Sequence, residues 1–71
     1  MRRDCVTQVI VTWRDGEIDN FATPFEAERF INAAIEDLGE PESAWLEDMH
    51  SNKKWDYSIV EDEEGRIRLV D

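Results

Sequence analysis

Between Thr23 and Gly39 the chain carries a start signal, an unbroken apolar stripe and a stop signal. The rest of its 71 residues must pack around what that segment forms. Thr23 can accept the backbone N–H of Glu26, and Glu26 can reach back to the N–H of Thr23, a capping box. Pro24 falls at the first helical position, where its missing donor does no harm. Ala27, Phe30, Ile31, Ala34, Ile35 and Leu38 recur at three- and four-residue spacing and make one apolar face. Gly39 supplies the left-handed residue that commonly follows a last turn. The pattern predicts a helix of about 15 residues, roughly 22 Å long at about 1.5 Å per residue.

The flanks read differently. Cys5 to Arg14 is rich in β-branched and aromatic residues and predicts a strand. Asp15-Gly16 suits a two-residue type I′ turn into Glu17–Phe21. That turn would set Trp13 opposite Ile18 and Val11 opposite Asn20 on a core face shared with Val9. Arg14 against Glu17, Thr12 against Asp19 and Ile10 against Phe21 would take the solvated face. Beyond the long helix, Glu40-Pro41-Glu42 can open a second, shorter helix to about His50, burying Trp45, Leu46 and Met49. Trp55, Tyr57 and Ile59 alternate with polar residues as a half-buried strand. Asp62-Glu63-Glu64-Gly65 is a hairpin loop with Gly at the left-handed position. The return strand Arg66–Val70 turns Ile67 and Leu69 inward and Arg66 and Arg68 outward. The order is ββααββ. The expected fold is α+β: a four-stranded antiparallel sheet with one long amphipathic helix and one short helix packed on one face. The first strand, the most apolar, belongs inside that sheet, beside the last.

A chain this short makes one domain, residues 1–71, with a small core. No apolar run approaches the roughly 20 residues that span a bilayer, and no apolar stretch with a cleavage site follows the basic start, so neither a membrane span nor a signal peptide is expected. One cysteine leaves neither a disulfide nor a thiolate metal cage. Eighteen Asp and Glu against eight Lys and Arg give a net charge of −10 and a pI of about 4.3, the opposite of a nucleic-acid binder. Hydrophobic residues at 41% are too many for a disordered acidic tail. The expectation is a cytoplasmic protein that makes no direct contact with nucleic acid or membrane, as a monomer or small homo-oligomer.

Catalytic chemistry finds no motif. His50, the one histidine, has no nucleophile or orienting group at a motif spacing. Cys5 lies in a strand pattern and reads as a small hydrophobe. Glu61–Gly65 is calcium-like only in composition, because counting from Glu61 places Gly65 at five, and the loop signature wants Gly at six. No phosphate loop, zinc spacing or nucleophile elbow is present. The reading is non-enzymatic, with no metal and no cofactor.

Charge patterning carries the functional expectation. Residues 1–14 hold three bases and one acid, a net +2. Residues 15–52 hold eleven acids against Arg29, a net −10. Residues 53–71 hold six acids against four bases, a net −2. Self-repulsion in the middle opposes folding. Solubility is one explanation, since added Asp and Glu are effective at it. A basic partner is another. Glu26, Glu28, Glu36 and Asp37 flank the apolar stripe of the long helix, and Glu40, Glu42, Glu47 and Asp48 continue the series. Carboxylates a few ångströms apart over about 20 Å can occupy the Lys and Arg sites that grip phosphates, one per about 1.7 Å along a duplex.

In size, charge and layout the chain resembles the small acidic DNA-mimic proteins of phages and mobile elements, and among them the anti-CRISPR proteins. That resemblance implies an inhibitor that blocks the DNA-binding surface of a CRISPR-Cas effector complex. It transfers no residue roles, because no motif carries it. The eight carboxylates above are the residues expected to meet the partner. The alternative is an acidic interaction module or antitoxin-like regulatory partner. It would bind through an apolar patch or sheet edge, with Phe25 or Trp45 as anchor.

Overall fold

A computed structural model describes residues 7–70. It has one helix and six strands: β1 (Thr7–Thr12), β2 (Ile18–Phe21), α1 (Pro24–Leu38), β3 (Ser43–Asp48), β4 (Lys54–Asp56), β5 (Ser58–Glu61) and β6 (Ile67–Val70). They form a four-stranded antiparallel sheet in the order β2-β1-β3-β4 and a separate two-stranded sheet, β5-β6. The expected ββααββ sheet with two helices is therefore overturned. The fold is a small α+β one, with a single helix and two sheets. The start of the predicted first strand, from Cys5, lies outside the described residues.

The long helix forms where its signals place it. Thr23 Oγ1 accepts the Glu26 N–H at 3.2 Å, Pro24 is the first helical residue, and Gly39, at φ 77°, donates its N–H to the Ile35 carbonyl at 2.8 Å. Ala27 and Ile31 are fully buried against Val9, Val11, Trp13, Ala44, Ile67 and Leu69. Phe30 packs tilted against Phe21, with ring centroids 5.3 Å apart, and edge-on to Trp13 at 6.2 Å.

The second helix is replaced by β3. Trp45, Leu46 and Met49 fit a helical period over too short a window to exclude a strand, and a helix of two turns is marginal alone. A strand there pairs along both edges, with β1 from Thr7↔Asp48 to Thr12↔Ser43 and with β4 at Leu46↔Trp55. Ala44 and Leu46 face the core, Trp45 lies on the opposite face beside Ile10, and Met49 sits exposed in the turn that follows. His50, expected near a helix C-terminus, is exposed in that same turn.

The first hairpin differs by one residue. Gly16 donates to the Trp13 carbonyl at 3.0 Å and Trp13 to the Glu17 carbonyl at 2.8 Å, which closes a three-residue loop, Arg14–Gly16. Gly16 takes φ 96°, and Asp15 Oδ1 accepts the Glu17 N–H at 3.0 Å. The pairs are Val9↔Phe21, Ile10↔Asn20, Val11↔Asp19 and Thr12↔Ile18. Val9, Val11 and Trp13 keep the core face, but every residue of β2 changes sides. Phe21, a larger apolar group than Ile18, gains the aromatic contacts, and Ile18 is left 60% exposed. Asp19 on the core side accepts the Trp13 indole N–H at 2.9 Å.

The second hairpin has the same loop geometry. Gly65, at φ 82°, donates to the Asp62 carbonyl at 3.0 Å, and Asp62 donates to the Arg66 carbonyl at 2.9 Å. Ile67 and Leu69 point inward and Arg66 and Arg68 outward. The run read as one strand through Trp55, Tyr57 and Ile59 is split at Tyr57, whose N–H goes to the Ala44 carbonyl at 3.0 Å; the chain then leaves one sheet for the other. β1 does lie inside its sheet, but its neighbour is β3, and the last strand belongs to the second sheet.

Candidate functional site

β6 has one edge paired with β5 and the other turned to α1. Side chains of the helix complete that second edge. Asn32 Oδ1 accepts the Ile67 N–H at 2.8 Å, and Asn32 Nδ2 donates to the Ile67 carbonyl at 3.1 Å. One helical turn earlier, Glu28 Oε2 accepts the Leu69 N–H at 2.9 Å. Together they stand in for a missing strand, because a sheet edge turned inward must find partners for its backbone groups. Glu28 is thus a structural acceptor and not a member of an open acidic ridge.

The other seven expected contact residues divide among three places. Glu26 is exposed in the first turn of α1, where the helix dipole favours it. Glu47 lies half-buried on the sheet face away from α1, accepts the Trp45 indole N–H at 3.1 Å, and sits opposite Lys54. Asp48 opens the β3–β4 turn. Its Oδ1 accepts the His50 N–H at 2.9 Å and the Ser51 N–H at 3.4 Å, and the His50 contact above all holds its carboxyl below the ordinary range. These residues lie at the Thr7 end of β3, opposite the end where Ser43 enters.

Glu36, Asp37, Glu40 and Glu42 do come together. Glu36 and Asp37 are exposed near the end of α1, and Glu40 and Glu42 are exposed in the connection to β3. The Glu42 N–H reaches the Thr12 carbonyl at 2.8 Å, which places it beside the first hairpin. Glu17 flanks Trp13 there, and Asp15 occupies the adjoining loop. From Gly39 to Glu42 the chain spans at most about 10 Å. One end of the molecule therefore carries six exposed carboxylates (Asp15, Glu17, Glu36, Asp37, Glu40, Glu42) against one base, Arg14. The last turn of α1 contains no basic residue, so its acids face the negative pole of the helix uncompensated.

A second feature escaped the sequence reading. Phe25, Arg29, Arg66 and Arg68 line a groove of about 220 Å³ between α1 and the second hairpin. The strand alternation of Arg66 and Arg68 was legible, but the docking of β6 on α1, which brings Arg29 to them, was not. Phe25 is 66% exposed with the Arg29 guanidinium 5.9 Å from its ring centroid. Trp45, the other suggested anchor, is half-buried under the Lys54 ammonium, 5.3 Å from its ring centroid.

Among the described residues no cluster of His, Cys, Asp and Glu has a metal-binding arrangement, and no helix is long and apolar enough to cross a membrane. Cys5 lies outside the described residues. Comparison with family models, curated proteins and solved structures finds no match to this chain.

Proposed function

We propose that this protein is a non-enzymatic, stoichiometric ligand for a basic protein surface, and that its acidic end competes with nucleic acid for that surface. The observation that carries the reading is the placement of Glu36 and Asp37. Acids at a helix C-terminus oppose the dipole by about 0.3–1 kcal/mol each, and Asp15, Glu17, Glu40 and Glu42 add repulsion of the same sign. Solubility alone needs acids somewhere on the surface, but not crowded at the one pole where they destabilise the helix. Rigid display also avoids the ordering cost a flexible acidic tail would incur on binding. The DNA-binding channel of a CRISPR-Cas effector complex is the partner that the class resemblance suggests.

The contact set is narrower than the sequence expectation, because Glu28, Glu47 and Asp48 serve internal hydrogen bonds. The direct test is competition between this protein and duplex target DNA for a purified effector complex. Lys substitution at Glu36, Asp37 and Glu40 together should abolish competition while the circular dichroism spectrum is kept. Full competition by that folded variant overturns the proposal.

One observation favours a second reading. Trp55 is 47% exposed beside a groove of about 740 Å³ that it lines with Leu46 and Tyr57. Docking there would depend weakly on salt, survive the triple Lys variant and fail with Trp55→Ala.

A further inference from the structure

The six bases among the described residues are Arg14, Arg29, Lys53, Lys54, Arg66 and Arg68, and half of them line the groove between α1 and the second hairpin. That concentration is unexpected in a chain of net charge −10. Among the described residues, Arg68 is the only one of the three in an ion pair, at 3.2 Å from Asp62. Glu28 also lines the groove, but one of its oxygens is occupied by the Leu69 N–H. With Glu64 included, the lining holds three positive charges against two negative; Asp62 offsets Arg68, so Arg29 and Arg66 are the lining bases left outside an ion pair among the described residues.

The groups are arranged in two kinds. Arg68 on β6 and Arg66, the residue that leads into that strand, are both exposed and both line the groove. Across from them, Phe25 offers an exposed ring with the Arg29 guanidinium over it. Guanidinium groups that line one groove from two elements suit an anion with three terminal oxygens better than a carboxylate with two, because more oxygens are open to their N–H donors. An aromatic ring backed by a guanidinium suits a second flat ring.

We infer that this groove binds an aromatic phosphate monoester, its phosphate among Arg29, Arg66 and Arg68 and its ring against Phe25. The site is independent of the acidic end, from which its lining residues are distinct.

The test is a titration of the full chain with phenyl phosphate, followed by amide NMR shifts at constant ionic strength, with sodium chloride as the matched control. Saturable shifts confined to Phe25–Asn32 and Glu64–Arg68 are expected. Phenyl phosphate should bind about 3- to 10-fold more tightly than inorganic phosphate, the factor an aromatic pair supplies. Arg66→Gln, which leaves the Arg68–Asp62 pair in place, should lose saturable binding. Phe25→Ala should retain inorganic phosphate and lose the preference for the phenyl ester. Displacement of phenyl phosphate by adenosine monophosphate or by O-phosphotyrosine then assigns the source of the shared chemistry. Shifts reproduced by sodium chloride, or unchanged in folded Arg66→Gln, overturn the site. Equal affinity for inorganic and phenyl phosphate, or displacement by neither biological ester, overturns its aromatic part.

Discussion

Asn32 is the side chain on which the packing of helix and second hairpin most depends. Its amide fills both the donor and the acceptor of Ile67, and its Nδ2 also donates to the Glu28 carbonyl at 2.8 Å. Asn32→Ala leaves two half-buried backbone groups without partners, at about 1–3 kcal/mol each. We expect a loss of about 2–6 kcal/mol in urea unfolding. Glu28→Gln keeps an acceptor for Leu69 and should cost less than about 1 kcal/mol, whereas Glu28→Ala should cost about 1–3. If both Glu28 variants unfold at the wild-type urea concentration, the edge-completion argument fails.

Asp62 sets a pH dependence at the same scale. Its carboxylate accepts the Arg66 N–H, then the Glu64 N–H and the Arg68 guanidinium, and these hold it below its ordinary 3.8. A carboxyl depressed in the folded state stabilises the fold above its unfolded value and loses that contribution as pH falls through the folded one. The gap in urea midpoint between wild type and Asp62→Ala should therefore be full at pH 7 and shrink below about pH 4. A gap that widens on acidification would give the opposite sign and refute this account.

Among the elements, α1 is stable at its start and strained electrostatically at its end. Glu26 and the Thr23 cap suit the positive pole, while Glu36 and Asp37 oppose the negative one. Glu36→Lys with Asp37→Lys should raise stability by about 1–4 kcal/mol, since each reversal removes a penalty of about 0.3–1 and adds a gain of about the same size, while weakening binding to a cationic partner. Gain of stability with loss of binding is what distinguishes acids kept for a partner from acids kept for solubility. The hairpins show why element boundaries were harder to read than element identity. Asp15-Gly16 satisfies both a two-residue and a three-residue loop, and the choice decides which face of β2 is buried. Local turn chemistry cannot make that choice. Phe21 meeting Phe30 does.

For the molecule as a whole, net charge and its asymmetry dominate. The described chain measures 41 × 26 × 18 Å, with six exposed carboxylates on the end of α1, the connection to β3 and the first hairpin, and three arginines along the α1–β6 groove. Self-repulsion at net −10 is screened over a Debye length of about 10 Å at 0.1 M salt. Thermal stability should therefore rise with sodium chloride from about 0.01 to 0.1 M, as the Debye length falls from about 30 to 10 Å. Affinity for a cationic partner should fall steeply over the same range. A partner affinity insensitive to salt would shift the argument to the Trp55 groove.

Periodicity and caps are local properties, so α1, the apolar face of β1 and the inward Ile67 and Leu69 could be read from neighbouring residues alone. The net charge and its crowding in the middle third were equally legible. Tertiary structure decided the rest, since each remaining choice compares distant partners. Ser43–Asp48 is a strand because β1 and β4 offer it backbone bonds on both edges. The chain breaks at Tyr57 because Ala44 holds its N–H where two sheets part. Glu28 turns from a surface acid into the cap of a strand 41 residues away, because β6 has no other neighbour on that side. A carboxylate looks the same in sequence whether it awaits a partner or already has one.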